Sequence, residues 1–579
     1  MSLMGSLYIG TSGLQTSQNA LNTTAHNLSN VDTVGYTRQQ AQQSEKNYVT
    51  LSKTASAVSY QQVGLGTTYS RVKQIRDYFL DKTYREESGR CMFYEVSTNV
   101  MSETESLLGE LSGEAFQTNV SDLWTSIQEL AKDPASSVTQ GLLVQRCAEF
   151  VERANEVYEG LSNYQDNLNA QIKQQIDKVN DYGKQILELN DKIRSIESGG
   201  IEKANDYRDT RNMLLDELSQ LVNLSWTEEI TGNVSVKIEG TDFVKGSMCY
   251  EIGLKQDEVT GFYTPFWPQN AHYTEDEFGH RNYSTEGALV FDLSRTISTE
   301  LDSDVGGVKA MLLARGDHRA NYTDITTDYS AVEQSVIMNI QAEFDQLIHG
   351  VTTSINSILA EGAGVKQGNL TLSDGTVLEN ARYCEGQIGG YLRDDEGKPV
   401  QMFSKTSAKD GFKQITATDE YGNYGDYWVY VEESATDRDS LYTVGSIVIN
   451  QDIMQKPGML GFRLEDGSYD KETVQKLQDA FSEEAYTLNP KVQKRTNFIE
   501  YYSDLVSQVA NSGYVFQSVY QTQQDTVEYT QNAREQVIGV SSDEELANMI
   551  KLQNAYNASS RYINAVSEML SHMISTLFS

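Results

Sequence analysis

The sequence predicts a multidomain α+β protein: paired N- and C-terminal helices, a long helical bundle built from both flanks of the chain, and distal, mainly β modules inserted between. Three observations carry that prediction. First, the two ends match each other. Residues 1–37 hold one formally charged side chain, Asp32, and residues 546–579 hold only Lys551, Arg561 and Glu568, in a 579-residue chain that is 22% Asp, Glu, Lys and Arg. Second, all six prolines lie within residues 134–490, so nothing in either flank breaks a long helix. Third, the hydrophobic period changes from helical to two in the middle of the chain.

From the N-terminus, Leu7, Leu14, Leu21 and Leu28 recur every seven residues, a stripe that predicts a helix. It should stop near Asn30, because Asn30, Asp32 and Gly35 favour turns. A polar extended stretch follows over residues 40–70. Helical pattern returns at Ile75 and Phe79 and runs, with interruptions, to about residue 225. Its clearest part carries Leu161, Tyr164, Leu168, Ile172, Ile176, Val179, Ile186, Leu189, Ile193 and Ile196. Gly199 and Gly200 end that helix, and the next, with Leu214, Leu215, Leu218 and Leu221, folds back alongside it.

Val234, Val236 and Ile238 then alternate with Ser235, Lys237 and Glu239, a strand pattern. A single strong helix with Val332, Val336, Ile340, Phe344, Leu347, Val351, Ile355 and Ile358 on one stripe separates this region from a second β region, about residues 362–450. There Tyr427, Val429, Val431, Val444, Ile447 and Ile449 sit among Gly- and Asp-rich turns. A helix from about residue 496 to 536 follows. Last come Met549, Leu552, Tyr556, Ser559, Ile563, Val566, Leu570, Met573 and Leu577, whose three-four spacing is a coiled-coil seam. Ser542 and Glu545 fit a capping box at its start.

The solvent-side positions of the two end helices are neutral. They are Gln15, Gln18, Asn19, Asn22, Thr23 and Asn27, and later Asn548, Gln553, Asn557 and Ser560. A helix at the surface of a monomer turns Lys and Glu outward, whereas the core of a protein–protein interface is depleted of charge. Packing of both ends against other protein is therefore expected, in preference to their being core helices of a monomer.

A formal net charge of −36 excludes nucleic acid as a partner, because phosphate binding needs clustered Lys and Arg, and it disfavours an anionic membrane surface. No run of 18 apolar residues is present, and no basic segment precedes an apolar one in the manner of a cleaved secretory signal. Cys91, Cys147, Cys249 and Cys384 are far apart and form no metal-ligand spacing. Nucleophile elbow, P-loop, zincin and dinucleotide motifs are all missing, so no enzyme, cofactor or metal is expected. His272 and His280 share an acidic loop with Glu275 and Asp276, which a solvated loop explains better than a metal site. The tyrosines of residues 421–430 are candidates for a glycan-binding face, although 34 tyrosines in the chain favour a plain β surface.

The N-terminal I-G-T-S-G-L, A-H-N-L-S-N and T-V-G-Y-T-R, within residues 9–38, resemble the signature of the flagellar rod, hook and hook-associated proteins. The C-terminal M-I-K-L-Q-N-A-Y-N-A from Met549 resembles that family's other half. Motif residues on these stretches are Asn27, Asn30, Gly35, Tyr36, Arg38, Gln553 and Ala555. Further stretches narrow the likeness to members that join hook to filament: G-L-G and I-R-D-Y-F-L-D within residues 64–81, Y-R-D-T-R-N-M-L-L-D-E-L-S-Q-L-V over residues 207–222, G-G-V-K-A-M-L from Gly306, and G-V-S-S-D-E-E-L over residues 539–546. One departure is Val34, where the family commonly has proline.

The resemblance covers residues 1–225, 305–360 and 495–579 and leaves out the two β regions. It implies a structural subunit of the bacterial flagellum, extracellular and exported unfolded without a cleaved signal. Its implied partners are further copies of itself, hook protein, a second hook-associated junction protein and an export chaperone. Another axial component, such as a hook protein or unusual flagellin, is the alternative, and a third option adds glycan binding or hydrolysis to the β modules. The implied inner tube domain is residues 1–45 with 540–579, and the bundle is residues 46–225 with 306–361 and 490–539. One β module is residues 226–305 and the second, mainly β, is residues 362–489. Assembly is expected through Leu7, Leu14, Leu21, Leu28, Met549, Leu552, Tyr556, Ile563, Val566, Leu570, Met573 and Leu577.

Overall fold

The computed structural model describes residues 3–52, 61–109, 116–200, 202–275, 278, 281–386, 391–407, 411–464 and 467–577. The chain opens with α1 (Leu3–Ser29) and four short strands, β1 (Gln39–Glu45), β2 (Val49–Ser52), β3 (Gln61–Val63) and β4 (Thr67–Gln74). β1 and β4 pair antiparallel, as do β2 and β3, and the β1–β4 ribbon lies on α1. α2 (Tyr78–Leu108), α3 (Phe116–Lys132), α4 (Ser137–Glu197) and α5 (Asn205–Leu221) then form most of the bundle. At 61 residues, α4 spans about 90 Å and is the spine of the molecule.

Two cores share that spine. Its first half gives Leu143, Val144, Phe150, Val157 and Leu161 to a core with α3 and later helices, and its second half gives Ile172, Ile176, Val179 and Ile186 to another. The second core is roofed by a four-stranded antiparallel sheet, β5 (Leu224–Glu228), β6 (Val234–Ile238), β7 (Thr241–Lys245) and β8 (Met248–Cys249). Val234, Val236 and Ile238 point into it while Lys237 points out, as period two requires. Two ribbons follow, β9 (Gly253–Gln256) with β10 (Tyr263–Phe266) and β11 (Tyr273–Glu275) with β12 (Arg281–Tyr283). Thus Ile196, at the end of the spine's apolar stripe, is 36% exposed because the stripe outruns its partners.

The chain re-enters the bundle through α6 (Gly307–Arg315), α7 (Tyr322–Val332) and α8 (Val336–Gly362); Val332, expected on the stripe of α8, instead ends α7, because Ser335 caps α8 by accepting from Met338 N. A closed barrel in the order β13 (Lys366–Leu372), β14 (Val377–Glu385), β17 (Tyr424–Tyr430), β16 (Phe412–Asp419) encloses Leu370, Tyr383, Ala417 and Tyr427. β15 (Phe403–Lys405) pairs with β18 (Ile447–Ile449), and the short α9 (Gln451–Gln455) and α10 (Lys471–Ser482) lead back to the bundle. α11 (Phe498–Ile538) runs beside α2, and α12 (Ser542–Leu577) beside α1. Four free cysteines, two of them buried, are spread through these parts. Among the described residues no helix is long and apolar enough to cross a membrane.

Candidate functional site

α1 and α12 pack against each other, but the closest contact is not made by the leucine heptad. The buried residues of α1 are Gly10, Thr16, Ser17, Ala20, Thr24 and Asn27, while Leu7, Leu14, Leu21 and Leu28 are half-buried. A Cβ on Gly10 would stand 2.7 Å from Ile563 Cγ1, and one on Gly13 would stand 3.0 Å from Ser559 Oγ. Small residues let the two backbones approach. On α12, Met549, Leu552, Tyr556, Ile563 and Leu570 are half-buried, Val566 is buried and Met573 is exposed; the Leu577 side chain lies outside those described. Leu546, Ile550, Met569 and Ile574 are exposed as well. A 36-residue helix therefore leaves apolar side chains uncovered near both of its ends in the single chain, and grouped exposed hydrocarbon marks an interaction surface.

The ribbon closes the other side of α1. Thr67 N donates to Ser12 Oγ at 3.3 Å and Thr67 Oγ1 to Thr16 Oγ1. Gly66, at φ +85°, approaches so closely that a Cβ there would lie 2.1 Å from Ser12 Oγ, which explains the second glycine of the G-L-G motif.

The motif residues after α1 build the turn that leaves it. Asn27, expected on the outward face, is instead 1% exposed: its Nδ2 donates to Gln39 O at 2.8 Å, and its Oδ1 accepts from Tyr36 Oη and Gln39 N. A neutral amide can satisfy three backbone and side-chain groups at once. Asn30 Nδ2 donates to His26 O at 2.9 Å. Tyr36 N donates to Thr33 O at 3.2 Å with Gly35 at φ +78°, a type II turn in which Val34 occupies the position that favours proline. Val34 is 88% exposed, and the turn forms without the ring. Burial and the neighbouring Asp209, Asp206 and Glu545 push the Tyr36 hydroxyl up.

Arg38 fixes the start of α12. Its Nε donates to Glu545 Oε1 at 2.9 Å and its Nη1 pairs with Glu544 at 3.1 Å, while Arg38 N donates to Ile538 O. The capping box expected from Ser542 and Glu545 does not form: Ser541 Oγ accepts from Glu544 N at 3.4 Å, one residue earlier, and Glu545 is taken by Arg38. Gln553 and Ala555 of the C-terminal motif are exposed and make no comparable bond.

Beneath this turn lies a buried ion network absent from the sequence-based expectations. Arg534 of α11 donates to Asp81 Oδ1 at 2.8 Å and to Asp216 Oδ2 at 2.6 Å. Arg85 of α2 takes the other oxygen of Asp216 at 2.6 Å and stacks over Trp226, 4.1 Å from the ring centre. Arg76 holds Asp81 through two bonds, at 3.0 and 2.9 Å. Asp209 accepts from Thr37 N and from Gln74 Nε2. Burial raises the Asp209 carboxyl to about 6, against the hydrogen bonds from Thr37. Burial also opposes the ionised Asp81, yet Arg76, Arg534 and Arg85 together hold its carboxyl below the usual range. Three guanidiniums and three carboxylates thus tie α2, α5, α11 and the two linkers of the terminal unit into one joint, above which a cleft of about 690 Å³ opens between Val34, Met213 and Ile538. Arg76, Asp81 and Asp209 belong to the I-R-D-Y-F-L-D and Y-R-D-T-R stretches, so the motifs were visible but their pairing was not.

Elsewhere the candidate features are sparse. Among the described residues no three metal-ligating side chains gather in one place; Asp276 and His280 lie outside those residues. In the tyrosine-rich hairpin, Tyr421 and Tyr424 are exposed, whereas Tyr427 is core and Tyr430 is covered by Arg382.

The family model for the helical domain of flagellar hook-associated protein FlgK matches residues 101–373. The model of the flagella basal body rod protein matches residues 7–37, and that of the C-terminal region of flagellar basal body rod FlgEFG proteins matches residues 537–576. Flagellar hook-associated protein 1 of Bacillus subtilis is 24% identical over 566 residues, covering 97% of this chain and 96% of that one. The proteins of the same name from Escherichia coli and Salmonella typhimurium are 24% and 22% identical, with 97% of this chain and 98% of each of theirs covered. The solved flagellar hook junction protein FlgK from Burkholderia pseudomallei superposes with a TM-score of 0.47 at 12% identity, covering 80% of this chain and all of that one. The rod-protein matches fall on α1 with its turn and on α12, the FlgK match falls on the bundle between them, and along nearly its whole length the chain is similar to flagellar hook-associated protein 1.

Proposed function

We propose that this chain is a structural subunit of the bacterial flagellum at the junction between hook and filament, assembling through its paired terminal helices. The observation that carries the proposal is the set of apolar side chains of α12, Leu546, Ile550, Met569, Met573 and Ile574, left exposed in the single chain on a stretch, residues 546–577, whose only charged residues are Lys551, Arg561 and Glu568. The inner tube domain is residues 1–45 with 540–579, with Leu7, Leu14, Leu21, Leu28, Met549, Leu552, Tyr556, Ile563, Val566, Leu570, Met573 and Leu577 meeting neighbouring copies. The bundle, residues 46–225 with 306–361 and 490–539, packs around that tube. The modules at residues 226–305 and 362–489 face outward. Asn27, Gly35, Tyr36 and Arg38 set the angle at which the terminal pair leaves the bundle.

In this reading the chain works outside the cell and travels there unfolded, held by an export chaperone. It sits on hook protein and carries the second junction protein above, and it has no catalytic role. Cells deleted for the gene should make hooks that release flagellin instead of holding filaments, and antibody to the chain should label the hook's distal end in electron micrographs. Normal filaments in the deletion strain, or label elsewhere along the flagellum, would overturn the proposal.

A further inference from the structure

The three carboxylates of the joint between the terminal unit and the bundle are not held alike. Asp81 and Asp216 each take two guanidiniums, Arg76 and Arg534 on the first, Arg85 and Arg534 on the second. Asp209 of α5, 9% exposed, is held by neutral donors. Its Oδ2 accepts from Thr37 N at 3.3 Å, in the turn after α1, and its Oδ1 accepts from Gln74 Nε2 at 2.8 Å, at the end of β4. Arg76 Nη1 stands 4.0 Å away, with the Nε and Nη2 of that side chain spent on Asp81. The other charges around Asp209 do not compensate for this. On its own helix Asp206 adds a like charge and meets His26 of α1 only at 3.8 Å. The turn brings the Tyr36 hydroxyl, on which Asp209, Asp206 and Glu545 of α12 all act, and Glu545 itself is bonded to Arg38.

We infer that Asp209 is a built-in weak point of the joint: a buried charge without a bonded cation, placed where the turn and the ribbon of the terminal unit rest on the bundle, so that lifting the unit from α5 is helped by hydration of one carboxylate. A buried charge that lacks a partner is costly, and water removes the cost. The chain permits the movement. The links are short, residues 75–77 between β4 and α2 and residues 539–541 between α11 and α12, and the cleft beside them separates Val34 of the turn from Met213 of α5. Burial raises the Asp209 carboxyl to about 6, against the bonds from Thr37 and the charge of Arg76, with Asp206 adding to the rise. In a lifted joint the same carboxyl returns to about 3.9. The seated joint therefore binds a proton that the lifted joint releases, so seating is strongest below about pH 4 and weakens as pH rises through about 6. At neutral pH the terminal unit is seated loosely and takes more than one angle to the bundle, a property of the single chain that goes beyond the axial role.

Amide exchange on the full-length free chain tests this through peptides covering residues 33–39 and 70–76, with α4 over residues 143–190 as the reference for global unfolding. Corrected for the intrinsic rate, protection of the two joint peptides should fall about tenfold between pH 5 and pH 7.5. Asp209→Asn removes the charge and keeps one acceptor, so its joint peptides should show no such fall and should be protected at pH 7.5 as well as the parent's or better. A plain acceptor role predicts the reverse, lower protection at every pH, because the amide of Asn accepts at one atom only. Asp206→Asn changes a side chain that is 80% exposed and leaves Asp209 in place; the midpoint of the fall should move to lower pH. A flat profile in the parent, an unmoved midpoint in Asp206→Asn, or joint peptides less protected in Asp209→Asn than in the parent at pH 7.5 would each overturn the inference. All three results concern the free chain and leave the axial role standing.

Discussion

Arg534 illustrates how much of this molecule depends on single polar side chains. It is 6% exposed and binds Asp81 and Asp216 on two different helices. Removing one partner of a buried pair commonly costs 3–5 kcal/mol, but Arg76 still holds Asp81 and Arg85 still holds Asp216. Arg534→Met should therefore destabilise the bundle by about 3 kcal/mol, at the low end of that range, read as a lower urea midpoint. Val34 offers a change of opposite sign. No hydrogen bond among the described residues draws on its N–H, and proline suits its place in the turn. Val34→Pro should stabilise the turn by about 0.4–1 kcal/mol and slow exchange of the Tyr36 amide about two- to fivefold. Glu343 and Asp345 of α8 set a pH dependence. Burial raises both carboxyls to about 7 against the hydrogen bonds they accept, from Asn489 and Gln508 to Glu343 and from the Val444 and Tyr322 amides to Asp345. The folded chain thus keeps protons that the unfolded chain gives up near pH 4. Because the native state binds more protons in that window, stability falls as pH rises from about 4 through 7. Urea midpoints should be lower at pH 8 than at pH 5.5, and Glu343→Gln should remove its share of the slope.

At the scale of the element, the terminal pair is held by a seam of small residues between the leucines. Gly10→Val should push α1 from Ile563 and lower incorporation into flagella, with the bundle's unfolding unchanged, and Gly10→Val with Ile563→Ala should restore much of the loss by removing the atom 2.7 Å away. An unrestored double variant would place the defect in α1 itself rather than in the seam. That seam was hidden from the sequence for a physical reason: Gly10, Gly13, Ser17 and Thr24 carry no hydropathy signal, whereas the leucines they sit among do. The helices themselves were legible, since α1 ends at Ser29 beside the expected Asn30 and α4 ends two residues before the Gly199–Gly200 pair. The spine's stripe, from Leu161 to Ile193, was legible in the same way because one face of a helix repeats. What escaped was polar and non-local. Asn27 counted as outward by spacing and is buried by Tyr36 and Gln39, and Glu545 fitted a local cap but is claimed by Arg38, 507 positions away. The Arg76, Arg85, Arg534, Asp81, Asp209 and Asp216 network joins residues more than 450 positions apart at its widest, a distance over which spacing carries no information.

Across the whole molecule, burial falls steeply from the spine to the ends. α4 and α8 are clamped between cores, while α12 touches α1 along one side and buries only Val566 and Glu545 among its described residues. Helices of such length gain little from propensity alone, and most helical stability in proteins comes from packing an apolar face. The terminal pair and its ribbon also join the bundle only through the links at residues 75–77 and 539–541, with the turn at residues 30–38 bonded to it by Thr37, beside an open cleft. Two stability classes follow, since regions with few buried apolar contacts open independently of the global unfolding. In the free chain, amides of residues 5–28 and 546–576 should exchange within seconds to minutes, while those of α4 over residues 143–190 should persist near the global limit. In isolated flagella the same terminal amides should become as protected as α4, because neighbouring copies cover the apolar side chains that α12 exposes at both ends. The coupling has a use in assembly: ordering of the ends is then completed only on docking, so a chain with net charge −36 stays apart from its copies until it reaches the growing tip. Full protection of the termini in the free chain would refute this division, because α12 would then need no partner to hold it helical.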